Sequence, residues 1–133
     1  MKITRRTDYA IHLIADLSEH PESCQGLRAL TEKHNVTYAF ARTIQQGLLK
    51  AGIIKACRGI NGGIQLAKPL SDITLLEVFE AAQNPLDFTL DHSESPWCEC
   101  EEEDCLSHEF WDSTKKVISD HLSSVTMEHV VSK

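Results

Sequence analysis

The sequence predicts a mainly α fold: a winged helix-turn-helix domain with a two-stranded wing, followed by a long C-terminal dimerisation helix. Three observations predict it. Apolar residues recur at helical spacing through most of the first half, in runs separated by turn residues. A short helical pattern, a turn at Asn35 and a Thr-capped helical pattern are followed at once by two β-like runs around a glycine-rich tip. Positive charge is gathered in the same half: residues 1–68 hold ten Lys/Arg and five Asp/Glu, residues 69–133 three and fifteen, within a net charge of −7. A basic half beside an acidic one suits a polyanion bound on one side.

Residues 4–19 read as the first helix, with Ala10, Leu13, Ile14 and Leu17 forming one apolar stripe and Pro21 ending the pattern. Asp8 and His12 lie four apart on one face, which suits a surface pair. Gly26 to His34 reads as a second, short helix carried by Leu27 and Leu30. Asn35 tolerates the left-handed conformation of a tight turn, and Thr37 is a good N-cap for a third helix, Tyr38 to Ala51, ended by Gly52. Its inner side uses Phe40 or Ala41, Ile44, Leu48 and Leu49. The opposite side carries Tyr38, Arg42, Thr43, Gln45 and Gln46, types that pair with base edges or reach phosphates.

Two β-like runs, 53–57 and 64–67, flank Arg58-Gly59-Ile60-Asn61-Gly62-Gly63, and Asn-Gly is a strong hairpin signal. The hairpin is the wing. Arg58 at its base is placed to enter a groove, with Gly59 and Asn61 beside it at the tip. Cys57 reads as a small apolar wing residue. Lys2, Arg5, Arg28 and Thr37 complete the expected phosphate or groove contacts. Ser71 or Asp72 can cap a further helix over 74–83, with Leu75, Val78, Phe79 and Ala82 inward. From Leu106 to about Val131 the pattern is again helical. A long helix with few partners in its own chain pairs with a copy of itself, or folds back on the first helix. The expected division is 1–83 DNA-binding domain, 84–105 cysteine-containing sensor loop and 106–133 dimerisation helix.

Three of the five cysteines, Cys98, Cys100 and Cys105, fall in the loop, with His108 three residues further on. Thiolates with imidazole suit iron in clusters, zinc or copper. The five cysteines are odd in number and not spread as a disulfide framework, so a reducing, cytoplasmic location is expected. No run of eighteen apolar residues suggests a membrane span, and no nucleophile–base pair, phosphate loop or cofactor fingerprint suggests an enzyme.

The opening M-K-I-T-R-R-T-D-Y-A-I-H-L-I-A, the tract L-L-K-A-G-I-I-K-A-C-R-G-I-N-G-G-I-Q-L-A-K-P, the continuation I-T-L-L-E-V-F-E-A and the later C-L-S-H resemble the Rrf family of winged-helix regulators. Its members include an iron–sulfur assembly regulator and a nitric-oxide-sensing repressor. The resemblance covers nearly the whole chain. It implies a homodimer with crossed C-terminal helices, and an iron–sulfur cluster held by the three loop cysteines. It also implies a fourth ligand: His108 at one family position, or Asp8 of the other subunit at another, with His12 on the same face able to serve in a related arrangement. Cluster-binding members space their cysteines about five residues apart. Here one residue separates Cys98 from Cys100 and four separate Cys100 from Cys105, so a two-iron or four-iron cluster is left open. Glu99, Glu101, Glu102, Glu103 and Asp104 crowd the loop and offer hard oxygen ligands, which keeps zinc and a thiol/disulfide switch open as alternatives.

The expected function is a dimeric, sequence-specific repressor that binds double-stranded operator DNA and senses redox state, nitric oxide or iron–sulfur status. A small iron–sulfur redox protein is the remaining alternative.

Overall fold

The structure is a computed structural model, and it describes residues 3–83 and 107–132. Lys2, Cys98, Cys100, Cys105 and the expected helix start at Leu106 lie outside the described residues. The elements are α1 (Arg5–Glu19), α2 (Leu27–His34), α3 (Tyr38–Lys50), β1 (Ile54–Cys57), β2 (Gly63–Leu66), a 3-10 turn (Leu70–Asp72), α4 (Leu75–Ala82), α5 (His108–Ser124) and α6 (Met127–Val131).

Each boundary has a local cause. Thr4 caps α1, accepting from the Arg6 N–H, and the stripe Ala10, Leu13, Ile14 and Leu17 is fully buried. Asn35 ends α2 in the left-handed conformation, φ 51°. Its N–H donates to Glu32 and that of Val36 to Thr31, the doubled closure that satisfies the last carbonyls of a helix. Thr37 then caps α3 by accepting from the Phe40 N–H at 3.2 Å. At the far end of α3, Gly52 takes φ +73°; its N–H donates to Leu49 and that of Ile53 to Leu48. The same closure there brings Leu48 and Ile53 together, both fully buried.

β1 and β2 pair antiparallel, with Ile54 opposite Leu66 and Cys57 opposite Gly63, so residues 58–62 form the wing tip. Gln25, between α1 and α2, bridges to Ile64 through two hydrogen bonds of 2.9 Å and adds a third edge to the hairpin. Ile44, Leu48, Ile53, Ile54, Ile64, Ile73 and Val78 join the α1 stripe in one core.

Three expectations are corrected. The cap of α4 is Thr74, not Ser71 or Asp72. Thr74 and Glu77 form a reciprocal capping box, while 70–72 form the 3-10 turn. The C-terminal helical pattern is interrupted at Val125, which is extended (φ −98°, ψ 121°). There the Leu75 N–H donates to Val125 and the Met127 N–H to Ile73, each at 2.8 Å, in a short antiparallel bridge. Thr126 caps α6, and Met127 is fully buried in the core, so the end of the chain folds back on its own N-terminal domain. Cys57 is not a simple apolar wing residue: it is disulfide-bonded to Cys24, with Cα atoms 6.2 Å apart.

Candidate nucleic-acid interface

The outward side of α3 is where sequence and structure meet. Arg42, Thr43 and Gln46 are exposed, with Arg42 and Gln46 one helical turn apart. Tyr38 is 41% exposed at the N-terminal end of α3. The Arg28 guanidinium, from α2, lies 4.7 Å from the centre of the Tyr38 ring. This cation–π contact holds the two side chains together at the edge of the reading face. Thr43 donates its hydroxyl proton to the Phe40 carbonyl at 2.8 Å, which fixes the orientation of its side chain. Thr37 is exposed, and its oxygen is occupied by the cap. Arg58, Gly59 and Asn61 are exposed on the wing, and Gly59 has φ +106°, a conformation that favours glycine.

Gln45 is the exception. It is 7% exposed and belongs to the inner side of α3, with its Oε1 buried and without a hydrogen-bond partner among the described residues. The helical repeat explains the difference. Residue 45 follows Ala41 by four and Ile44 by one, so it falls on the border of the buried arc rather than opposite it. It does not share the exposed side of α3 on which the sequence places it with Arg42, Thr43 and Gln46. Ile60, between Gly59 and Asn61, is fully exposed at the wing tip.

The helix-turn-helix is braced from beneath by one buried carboxylate. Asp16 of α1, 6% exposed, accepts from Lys33 Nζ at 2.6 Å and from His34 Nε2 at 2.5 Å, both on α2. Burial pushes the Asp16 carboxyl up, but the hydrogen bonds from Lys33 and His34, and their charge, outweigh it and hold the group below the usual carboxylate range. Tyr9 packs edge-on to His34 and against Phe40. Burial, with the nearby Asp16 charge, pushes its phenol up. No local spacing joins residues 16, 33 and 34 across two helices, so sequence reading had no signal for this brace.

Asp8 and His12 form the surface pair that their spacing suggests, at 3.8 Å, with both side chains more than half exposed. They line an open cleft of about 690 Å³ with Arg5, Tyr9, His34 and Thr37, on the flank of the reading unit. His108 is half-buried at the first turn of α5. Among the described residues no group of three or more His, Cys, Asp or Glu is arranged to hold a metal ion. Asp8 is nonetheless an accessible carboxylate lining an open cleft.

Among the described residues, no helix is long and apolar enough to cross a membrane. Compared with known proteins, residues 3–133 match the Rrf2 family, described as an iron-dependent transcriptional regulator. A protein of Neisseria meningitidis, assigned as an HTH-type transcriptional regulator, is 29% identical over 133 residues, 98% of this chain and 88% of that one. The HTH-type transcriptional regulator IscR of Photorhabdus laumondii is 28% identical over 133 residues, 98% of this chain and 79% of that one. The structure of CymR, the global cysteine regulator of B. subtilis, superposes with a TM-score of 0.76 at 22% identity, covering 99% of this chain and 97% of that one.

Proposed function

Since the chain belongs to the Rrf2 family of winged-helix transcriptional regulators, and so is a DNA-binding regulator rather than an enzyme, we propose that it is a homodimeric repressor reporting iron–sulfur or redox status. In this reading α3 enters the major groove and the wing follows the adjacent backbone or minor groove. Two copies then address half-sites about 34 Å apart, or a small multiple of that.

The observation that carries the DNA geometry is the shared exposure of Arg42 and Gln46 on α3 and Arg58 on the wing, with the Arg28–Tyr38 pair at the edge. Arg42 suits bidentate contact with guanine, and Gln46 with adenine. Arg5, Arg28, Thr37 and Arg58 suit phosphates, and Lys2 belongs with them by sequence. The pairing of two copies is supported by α5, where none of the residues is fully buried and Phe110, Trp111 and Val117 are 62%, 40% and 68% exposed. An apolar face of that kind on a helix of 17 residues suits a second copy of the same helix.

The sensing half rests on Cys98, Cys100 and Cys105, which would hold an iron–sulfur cluster with His108 or with Asp8 of the other subunit. The family's iron-dependent description and the exposed, cleft-facing Asp8 carboxylate support that set. A bound cluster supplies a centre reactive to oxidants and nitric oxide. The chain's own part is to offer three thiolates and one oxygen or nitrogen donor, and to couple that loop to α5. Zinc in the same loop is the second reading, favoured by the uneven cysteine spacing and the adjacent acids.

The test is the visible spectrum with iron, sulfide and zinc content of protein purified without oxygen, beside Cys105→Ala. Iron and sulfide in similar amounts, lost in the variant, uphold the cluster. Zinc alone replaces it with the second reading. Asp8→Ala and His108→Ala then separate the two fourth ligands. On selected operators, Arg42→Ala should relax sequence preference, whereas Arg58→Ala should weaken all sequences and lower the salt slope by about one. Unchanged affinity in Arg58→Ala removes the wing from the interface.

A further inference from the structure

We infer that Cys24 and Cys57 form a reversible dithiol/disulfide site that clamps the wing strands where they meet the tip, separate from the loop cysteines, and that its oxidation tightens the hold on DNA. The inference rests on the wing contact proposed for Arg58, but not on any cluster.

The two sulfurs are brought together by backbone that does not depend on their bond. Cys24 lies between α1 and α2, in the segment whose Gln25 makes two 2.9 Å hydrogen bonds with Ile64 of β2. That approach is possible because residue 63 is glycine: a Cβ there would stand 2.2 Å from the Gln25 carbonyl oxygen. Cys57 ends β1 opposite Gly63 and immediately precedes Arg58. The resulting Cα separation, 6.2 Å, falls inside the range disulfides ordinarily span, roughly 4.4–6.8 Å.

The surroundings also suit the reduced pair. Gln65 Oε1 lies 3.0 Å from the Cys24 sulfur and 3.2 Å from the Cys57 sulfur. A thiol can donate its proton to that oxygen, and a disulfide cannot, so each redox state has a place in the same pocket. Both cysteines are half-buried, open to a small thiol. A transcriptional regulator works where the DNA is, in a compartment that keeps thiols reduced, and close pairs there are oxidised transiently.

The oxidant class is a low-molecular-weight disulfide of the glutathione type. One cysteine thiolate attacks a sulfur of that disulfide, forming a mixed disulfide and releasing one small thiolate. The second cysteine thiolate attacks the protein sulfur of the mixed disulfide and releases the other. The protein pair gives up two electrons, and the two small thiolates take up the two protons. Two small thiols reverse the exchange. Oxidation joins the α1–α2 segment covalently to the residue before Arg58, so the wing tip has less freedom left to lose when DNA is bound.

The test uses the full chain, purified without oxygen and equilibrated against mixtures of reduced and oxidised glutathione. Alkylation and peptide mass mapping follow residues 24 and 57, and binding to a mixed-sequence DNA duplex is measured at fixed salt. Both thiols should disappear together at one midpoint into a single cross-linked peptide, and the oxidised form should bind roughly three- to tenfold tighter. Cys57→Ser should abolish the change while keeping any response of the loop cysteines. Thiols that stay alkylatable in oxidised glutathione overturn the site. A disulfide that forms without changing affinity, or that weakens it, overturns the clamp, as does a full response in Cys57→Ser. Wild-type protein compared in its own two redox states decides the matter even where the variant fails to fold. Loss of the spectral signature in Cys105→Ala, with the glutathione response intact, would separate this site from the cluster reading.

Discussion

Gly47→Ala sets two known effects against each other. In an exposed helix interior, replacing glycine by alanine stabilises by about 1 kcal/mol, because alanine has less backbone freedom to lose. Gly47 lies within α3, but it is where α4 crosses. A Cβ at position 47 would stand 2.2 Å from the Ala81 carbonyl oxygen and 3.3 Å from its carbon. Relief to an ordinary contact of about 3.4 Å needs α4 to move by roughly 1.2 Å, and the obstructing atom is backbone, not the end of a flexible side chain. α4 is poorly free to move. The Arg6 Nε donates to Ala82 at 2.9 Å, the Thr4 N–H donates to Gln83 Oε1 at 2.9 Å, and the Leu75 N–H donates to Val125 at 2.8 Å. Overpacking of this kind costs about 1–3 kcal/mol, more where hydrogen bonds are broken with it. The clash is severe and backbone-borne, so the upper end applies, and a net loss of about 2 kcal/mol remains after the propensity gain. At roughly 4 °C per kcal/mol for a chain of this size, the thermal midpoint should fall by about 8 °C. Thermal and urea denaturation of Gly47→Ala beside the parent measure it. A midpoint unchanged or raised would mean that propensity wins and that α3 and α4 are not in close contact.

Gln45→Leu should leave stability unchanged or raise it by up to about 1 kcal/mol, because an unpartnered buried oxygen is replaced by apolar volume; a loss of operator preference with stability intact would return Gln45 to the interface. Asp16 is held below its ordinary value, so the stability its charge supplies is complete above about pH 4 and is lost as pH falls through the lowered folded-state value. Asp16→Asn should therefore be less stable at neutral pH and flatter across the acid limb, and an acid limb as steep as the parent's would assign that limb to other carboxylates. Met127→Ala should cost about 2–5 kcal/mol in denaturant titration, because it empties a fully buried site, whereas a surface-like cost would detach α6 from the core. Reduction of the Cys24–Cys57 bond should lower the unfolding free energy by about 4 kcal/mol at most, from the loop closed by a sequence separation of 33; no change in the midpoint on reduction would mean that the bond does not form in solution.

The helix-turn-helix and wing were legible because their signals are local. The four-residue stripe of α1, the left-handed Asn35, the Thr37 cap and the glycine-rich wing tip each act within a few residues, and the structure puts each where its local chemistry requires. What escaped is carried by long-range contacts. Asp16 meets Lys33 and His34 across two helices, and Cys24 meets Cys57 only because Gln25 pairs with Ile64. Thr74 displaced Ser71 and Asp72 as a cap because Glu77 stands at the matching third position and returns the hydrogen bond. The C-terminal pattern read as one helix because Val125, Thr126 and Met127 keep helical hydrophobicity. Their backbone is instead spent on pairing with Ile73 and Leu75. Of the candidate ligands Asp8, His12 and His108 fall within the described residues; for the three cysteines the sequence stands alone.

In the proposed function, the break at Val125 changes how a signal from the loop would reach DNA. A single long helix projecting from the domain would move as a lever about its base. Here α5 is fixed at its far end by the bridge to residues 73–75, and α6 is pinned in the core through Met127. α5 packs on α4, and α4 packs on α3 at the Gly47–Ala81 approach. Displacement of α5 would therefore press on α4, whose backbone stands close against α3 at Gly47. A change of state in the loop need not swing a distant arm. It need only shift the seat of α4, and α3 must follow, because its contact with α4 is backbone against Cα and close-packed interiors deform in steps rather than continuously. If the proposed function holds, the same two helices that make Gly47 intolerant of one methyl group would also pass a movement of α5 to α3.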